Sequence, residues 1–450
     1  MKAHLTYSRK YIVGADGGRS TVRSLAKIPF VGTPSDFKWI RLDAIVRTNM
    51  PDSRRVAISI ESPKYGNVLW LPEDNGRTRI GFVWPDEKTA TAETVMEAAK
   101  NAVHPFELEF VKLDWWTLYA IGQRVAESFR DGPVLLAGDA GHTHSSGAAQ
   151  GMNTGIHDAT NLGWKLTGTL KGWYTDVVLD TYAEERRKTA QQLIQIDRDM
   201  AACISGVIPA HFNAPPDADV NDYFYKVLKT NTGFTIGLGI SYEENILNRR
   251  NTLAPQLNIS VGHRAPDMPV FLPGARYPRR LQEFMPNHAK FWILVFAGGL
   301  DPDSKEPKLR KESIVRFSAL RTHTEEADSF VHTLVPAFEF LTIIKGDKIY
   351  QSAESLDGEP LGRVLHDRDG SLYAKYGIDD RDGAIVVLRP DGIVGFFAGL
   401  DQYEVVREYF AGFVRPFDKN VSEKPESNSD FEKQAQGMSF GEIFVEEEGN

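Results

Sequence analysis

The sequence predicts an α/β chain: an open parallel sheet, interrupted by an inserted antiparallel sheet and followed by a second α/β unit. Three observations carry that expectation. Two short apolar strands, Tyr11–Val13 and Val134–Ala137, each run into a glycine-punctuated turn and then a helical pattern, as parallel βα units do. Between them, residues 37–84 alternate apolar and polar positions with turn residues at intervals, the period of antiparallel strands. Beyond residue 261, strands and helices alternate again around the apolar run Phe291–Phe296.

The first element is the string Tyr11-Ile12-Val13-Gly14-Ala15-Asp16-Gly17-Gly18-Arg19-Ser20-Thr21-Val22-Arg23. Gly17 and Gly18 free the backbone to turn, and Ser20 is placed to cap a helix bearing Val22, Leu25 and Ala26. Asp16 can accept hydrogen bonds from nearby backbone, while Arg19 and Arg23 offer cationic donors to a pyrophosphate. Taken alone, Asp-Gly-Gly is only a turn signal.

Strands follow at Trp39–Val46, Val56–Glu61, Asn67–Leu71 and Thr78–Trp84, with residues 73–76 as a turn. Trp70, Phe82 and Trp84 could wall an aromatic pocket or could be ordinary sheet core. Thr91–Asn101 reads as a helix and Phe106–Leu113 as a strand.

The densest segment is Pro133–Leu166. Strand Val134–Ala137 runs into Gly138-Asp139, a small-residue loop with Gly147, and a helix starting near Gly151–Asn153. A carboxylate at the C-terminal end of a parallel strand suits hydrogen bonding to sugar-like hydroxyls, because ligands of open α/β sheets collect at that edge. The helix start aims free N–H groups and a positive dipole end at the same place. Ile156, Ala159, Leu162, Leu166 and Leu170 keep helical spacing, which predicts one packed face. His142 and His144 flank Thr143 in the loop, but no cysteine, glutamate or third histidine stands at ligand spacing, so a metal is not expected.

This string, Gly-Asp followed by His142-Thr143-His144-Ser145 and Gly151-Met152-Asn153-Thr154-Gly155-x-x-Asp158-Ala159-x-Asn161-Leu162, resembles the flavin-binding segment of the FAD-dependent aromatic hydroxylases, in particular their phenol 2-monooxygenase branch. The upstream Asp16-Gly17 string matches the same family's second fingerprint. The resemblance implies an incomplete FAD-binding Rossmann-like domain with an inserted antiparallel substrate sheet, plus a C-terminal thioredoxin-like domain. It implies that Asp139 holds the ribityl chain and that Asp16 and Gly17 lie near the pyrophosphate. Ala149, Gln150, Gly151, Met152 and Asn153 then present backbone donors to the flavin ring. The implied chemistry is an NADPH-using monooxygenase that hydroxylates a phenol-like aromatic with O2 through a flavin hydroperoxide.

Three departures from the family pattern stand out. Ser146 replaces a proline whose carbonyl lies against the flavin, and Gly81 replaces a tyrosine before Phe82. The family's opening Gly-x-Gly-x-x-Gly turn has no counterpart in the ten residues before Tyr11, so the resemblance covers the family from its middle onward. With that half absent, no residue is assigned as catalytic base.

Leu179–Ser205 reads as a long amphipathic helix with Tyr182, Ala183, Ala190, Leu193, Ile194 and Met200 on its apolar side. The cluster Glu184-Glu185-Arg186-Arg187-Lys188 on it reads as a solvated, salt-bridged face. Pro209–Pro216 is a loop. The later unit has strands at Phe291–Phe296 and Phe338–Ile344, helices within Lys311–Val335 and near Leu372–Tyr376, a hairpin at Ala384–Phe397 turning at 389–392, and a helix at Gln402–Phe413. That order resembles the family's thioredoxin-like dimerisation domain. Ala297-Gly298-Gly299 stand where a redox relative would place cysteines, so thiol chemistry is not expected. The expected division is 1–36 and 131–254 for the FAD-binding segments, 37–130 for the substrate sheet, 255–417 for the dimerisation domain and 418–450 for a disordered tail.

A net charge of −9 over 450 residues argues against nucleic acid or an anionic membrane surface as partner. One cysteine, Cys203, excludes a disulfide framework, and a cytoplasmic setting, a homodimer and a small aromatic substrate complete the expectation. Two rivals stand beside it. One is a non-catalytic paralogue acting as a dimerising assembly module. The other is a flavin epoxidase or oxidase of the same fold in a biosynthetic pathway.

Overall fold

The computed structural model describes residues 9–84, 89–145, 150–298, 307–346, 356 and 358–417. The segment expected to be a tail, 418–450, lies outside these residues.

Strand β1 (Ile12–Gly14) leads through the Asp16–Gly18 turn into helix α1 (Thr21–Leu25), which Ser20 caps by accepting from the Arg23 N–H. Gly14 is required for this packing, since a Cβ there would lie 2.8 Å from that of Val22. The chain then enters the antiparallel layer through β2 (Phe30–Thr48), β3 (Ile58–Ser62), β4 (Gly66–Pro72) and β5 (Arg77–Val83). Helix α2 (Ala92–Ala102) follows, opened by the reciprocal Thr91–Thr94 cap, and then β6 (Leu108–Ala126). β2 and β6 are far longer than alternation predicts. They pair along their length with register shifts near Pro34/Lys38, Asp43/Ala44 and Ile45/Val46, and such bulges break the period-two pattern a sequence reading relies on.

Trp70, Phe82 and Trp84 lie in the core between this sheet and α2, packed with Val95, Ala98, Ala99 and Ala102. They are sheet core, not pocket wall. The sheet's other face carries Arg41, Asp43, Leu69, Arg79 and Gly81, which are register neighbours.

The chain returns through β7 (Arg130–Asp131) and β8 (Val134–Leu136), and β8 runs parallel to β1. β9 (His142–Thr143) joins the large sheet beside β6, giving the order β3-β4-β5-β2-β6-β9. Helices α3 (Gly151–Leu170) and α4 (Val177–Ile204) pack together, and the Tyr182 hydroxyl donates to the Leu136 carbonyl at 2.5 Å, tying α4 to β8. α5 (Val220–Thr230) and the single turn α6 (Thr232–Thr235) close the end of α4, sharing a small core of Leu193, Ile196, Met200, Val227 and Phe234.

Two expectations about these helices are corrected. The packed side of α3 is polar: Thr154, Asp158, Asn161, Lys165 and Thr169 are buried with Leu162 and Trp164. Ile156 and Leu170, expected inside, are 55% and 54% exposed. The Glu184–Lys188 cluster on α4 is not a solvated face either. Glu185 and Arg186 are 3% and 0% exposed, while Glu184 and Lys188 face outward, Lys188 pairing with Glu243.

The C-terminal unit opens with a short hairpin of β10 (Pro269–Val270) and β11 (Arg279–Arg280). Its sheet then takes β12 (Phe291–Phe296), helix α7 (Pro307–Glu325), the turn α8 (Phe330–Thr333), β13 (Phe338–Lys345) and β14 (Arg363–Asp367). Helix α9 (Ser371–Tyr376), the hairpin β15 (Ala384–Leu388) and β16 (Val394–Ala398), and α10 (Tyr403–Ala411) complete it. β12, β13 and β14 are parallel and β15 and β16 antiparallel, in the order β14-β13-β12-β15-β16. This is the mixed sheet expected of a thioredoxin-like unit. Its core takes in three residues of the preceding layer, Trp164 of α3, Val178 of α4 and Tyr174 between them, with Trp164 and Tyr174 edge-on to Phe291. Cys203 is buried within α4. No described helix is long and apolar enough to cross a membrane.

Candidate functional site

The site grows from the C-terminal ends of the parallel pair β1 and β8, where the Ala137 N–H donates to the Gly14 carbonyl at 3.0 Å. Beyond β8 the chain makes a single 3-10 turn, Gly138–Ala140, with Gly138 at φ +60°. Asp139 stands on that turn exposed, with no hydrogen bond or ion pair among the described residues. Gln150 precedes α3 without capping it, and the first-turn N–H groups of Gly151, Met152 and Asn153 have no partner among the described residues. Met152 is 78% exposed at this helix mouth. The turn bearing Asp139 packs on the first two turns of α3, where Gly138 Cα lies 3.9 Å from the place of a Cβ on Gly155 and the Gly138 N–H reaches Asp158. The exposed carboxylate beside an uncapped helix start can accept hydroxyls on one side and offer donors to an electron-rich ring edge on the other. Ala149 lies outside the described residues, as do Ser146 and Gly147.

Two buried carboxylates hold this corner. Asp158 of α3 accepts from the Gly138 N–H and His142 Nε2, both at 2.9 Å, and from Arg186 Nε at 2.7 Å. Burial alone would raise its pKa, but the Arg186 guanidinium and His142 outweigh that and hold it below the ordinary value. Asp197 of α4 accepts from the Ser145 N–H at 2.7 Å, the Ser145 hydroxyl at 2.5 Å and Gln123 Nε2 at 2.9 Å. It too is held low against the opposing effect of burial, by His144, Ser145 and Gln123. The rings of His142 and His144 lie near-parallel, 6.3 Å apart. His144 Nδ1 donates to the Ser145 carbonyl at 2.7 Å, and a Cβ on Gly151 would sit 3.5 Å from its Nε2. The histidines thus link the turn after β8 to the start of α3.

The Asp16 side is more committed than the sequence suggests. Its carboxylate accepts from the Ser20 hydroxyl at 2.5 Å and from the N–H groups of Thr21 and Val22 at 2.7 and 3.1 Å. These bonds outweigh the effect of burial and keep its pKa low. Asp16 therefore shapes the loop from within. Arg23 is corrected as a pyrophosphate donor: it is buried, its Nη1 donating to the Ala140 carbonyl at 2.7 Å and its Nη2 to that of Gly18 at 2.9 Å. It ties the two glycine motifs together. Arg19 remains exposed, and Gly17, at φ +84°, has no atom within 4 Å of where a Cβ would be.

A second buried network was not foreseen. The Glu185 carboxylate accepts six hydrogen bonds: from Asn161, Lys165, Asn245 and Asn248, and from both Nη1 and Nη2 of Arg389 at 2.6 and 3.0 Å. Burial would raise its pKa, yet Arg389 and Lys165 drive it far down. Lys165, fully buried, is pushed down to about 8 by desolvation against the pull of Glu185. The signal for these residues was present. Glu185 and Arg186 continue the spacing of Tyr182, Thr189, Ala190 and Leu193, all buried, so they fall on the packed stripe of α4.

The residues present fit an FAD isoalloxazine and ribityl chain, on the free Asp139 carboxylate, the uncapped α3 and the empty space at Gly17 and Gly138. A separate cleft of about 1170 Å³ lies between α4, residues 241–263 and Phe397 and touches none of these residues.

The chain matches known proteins over most of its length. Residues 2–197 match the family described as FAD binding domain, and residues 312–417 match the phenol hydroxylase C-terminal dimerisation domain. A phenol 2-monooxygenase of Aspergillus fumigatus is 30% identical, covering 90% of this chain and 70% of that protein. A 3-hydroxybenzoate 4-monooxygenase of Comamonas testosteroni is 31% identical, covering 91% of this chain and 69% of its own length. Among solved structures, the OxyS anhydrotetracycline hydroxylase of Streptomyces rimosus superposes with a TM-score of 0.62 at 23% identity, covering 90% of this chain and 70% of that one. Aklavinone-11 hydroxylase, solved with FAD and aklavinone, gives 0.60 at 20%, covering 89% and 66%. Likeness at that identity speaks to the fold.

Proposed function

The chain belongs to the FAD-dependent aromatic hydroxylases, and on that footing we propose that it is an NADPH-using monooxygenase hydroxylating a phenol-like aromatic substrate. The observation that carries the proposal is the free Asp139 carboxylate beside the uncapped start of α3. When bound, FAD would supply the oxygen chemistry, drawing reducing equivalents from NADPH and passing one oxygen atom of O2 to the ring.

The chain's own residues bind and orient. Asp139 would accept from ribityl hydroxyls, while the backbone N–H groups of Gln150, Gly151, Met152 and Asn153 would face the polar edge of the flavin ring and stabilise negative charge there, with Ala149, outside the described residues, proposed from the sequence alone as a further donor. Gly17, with Arg19 beside it, would meet the pyrophosphate, and Asp16 keeps that loop in shape. The aromatic substrate would rest against the sheet face carrying Gly81, Arg41 and Leu69. The match of residues 312–417 to a dimerisation domain supports a homodimer.

Titration of the purified chain with FAD tests this directly. Quenching of flavin fluorescence, a yellow protein and phenol-stimulated NADPH oxidation are expected. A chain that leaves flavin fluorescence unchanged would remove the cofactor assignment. FAD uptake without aromatic-dependent NADPH oxidation would favour the non-catalytic assembly module.

A further inference from the structure

We propose that the C-terminal unit is a working part of the flavin site, with Arg389 as a positioning residue that fixes helix α3 through Glu185. The proposal rests on the FAD reading for its functional meaning and on the buried network for its geometry.

Arg389 lies at the β15–β16 turn, yet it is fully buried and every one of its N–H groups is engaged. Nε donates to Asp391 at 3.0 Å, Nη1 to Glu185 and to Asn248, and Nη2 to Glu185 and Asp391. The fork meets Glu185 from the C-terminal side while Asn161 and Lys165 of α3 meet the same carboxylate from the other. Trp164 of α3 adds a third tie, its indole N–H donating to Asp391 at 3.0 Å. The formal charges, two cations and two anions, balance within the cluster.

From this joint the geometry runs to the site along two short routes. Asn161 lies ten residues, about 15 Å, along α3 from Gly151, and a helix transmits a shift over that span as a rigid rod. The neighbour of Glu185 on α4, Arg186, holds Asp158, which in turn accepts from the Gly138 N–H and His142. Glu185 therefore joins the C-terminal unit to α4 at the residue beside the one that pins the turn bearing Asp139. An apolar contact between the two units would hold them together while allowing small rotations. A bidentate Arg–carboxylate fork fixes angle as well as distance.

Hydrogen–deuterium exchange on the full chain, with and without FAD, tests the idea with Arg389→Met and Arg389→Lys. Leu372→Ala, a core truncation on the far face of the C-terminal sheet, serves as a control and is compared at matched loss of melting temperature. Arg389→Met should speed amide exchange over 138–145 and 151–158 by about tenfold and weaken FAD binding by about tenfold, whereas Leu372→Ala should do neither. Arg389→Lys, which keeps the charge and loses the fork, should fall between them, and it decides the question should Arg389→Met fail to fold. Faster exchange confined to 384–398, or an equal effect of Leu372→Ala on 151–158, overturns the proposal. A wild-type chain that takes up no FAD defeats the cofactor assignment, and the exchange measured without FAD still decides the positioning role.

Discussion

Replacing Asp158 by asparagine removes one negative charge from a site where three donors converge. Arg186 is fully buried, and apart from Asp158 it has only the Tyr242 hydroxyl at 3.2 Å and a long contact to the Thr154 carbonyl at 3.4 Å. The asparagine oxygen can serve Arg186 or the Gly138/His142 pair, and its amide N–H2 then faces donors on the other side. Two hydrogen bonds to a charged group are lost or weakened, at about 1.5–3 kcal/mol each. Breaking a buried ion pair by removing one partner costs about 3–5 kcal/mol on independent grounds. The two routes agree, so Asp158→Asn should destabilise the chain by about 3–5 kcal/mol, a large share of the roughly 5–15 kcal/mol that holds a domain folded. Urea unfolding at neutral pH, followed by tryptophan fluorescence, measures it as a lower midpoint at unchanged slope. A loss below about 1 kcal/mol would refute the reasoning, because it would mean Arg186 finds solvent or another partner at no cost.

Other outcomes follow from the same geometry. Asp139→Ala should leave stability within about 0.5 kcal/mol, since the side chain is exposed and unpaired, yet weaken FAD binding roughly 10–100-fold; equal FAD affinity would remove Asp139 from the cofactor site. Gly168→Ala should cost about 1–3 kcal/mol or more, because a Cβ would lie 2.1 Å from Tyr174 Cε2, and an unchanged urea midpoint would show that the ring can move aside. Asp158, Asp197 and Glu185 are all held below the ordinary carboxylate range, so the unfolded chain binds more protons than the folded one as pH falls through that range. Melting temperature should therefore drop steeply in acid, and a flat profile down to pH ~3 would contradict the buried pairing. Lys165, at about 8 in the fold against 10.5 ordinarily, adds a smaller gain of stability between those values, because there only the unfolded chain keeps the proton.

The strand–turn–helix around Asp139 was legible because its signals are local: apolar triplet, glycine, carboxylate and helix start follow one another within a few residues. The C-terminal strands and helices were legible for the same reason, apart from the edge strand Arg363–Asp367, whose His366 and Asp367 are buried without apolar character. The interior partners were not legible. Arg389 meets Glu185 across 204 residues of sequence, and no spacing rule reports a contact of that kind. Charge also misled the reading of α4, where two ions sit on the dry stripe because each finds an opposite charge there. Periodicity misled it on α3: Ile156 and Leu170 keep helical spacing yet face outward, while the amide- and charge-bearing side is enclosed.

That inverted α3 has a mechanical consequence. Greasy surfaces can slide over one another by fractions of a turn with little penalty, since every position offers much the same contact. A row of distinct polar teeth has no such freedom. Moving α3 by one turn, about 5.4 Å, would draw Lys165 away from Glu185 and Asp158 away from Arg186 at once, leaving Lys165, Asp158 and Arg186 without a counter-charge in a dry interior while Glu185 keeps only Arg389. The helix is indexed to a single notch, and its mouth beside Asp139 stays at one fixed height above the sheet.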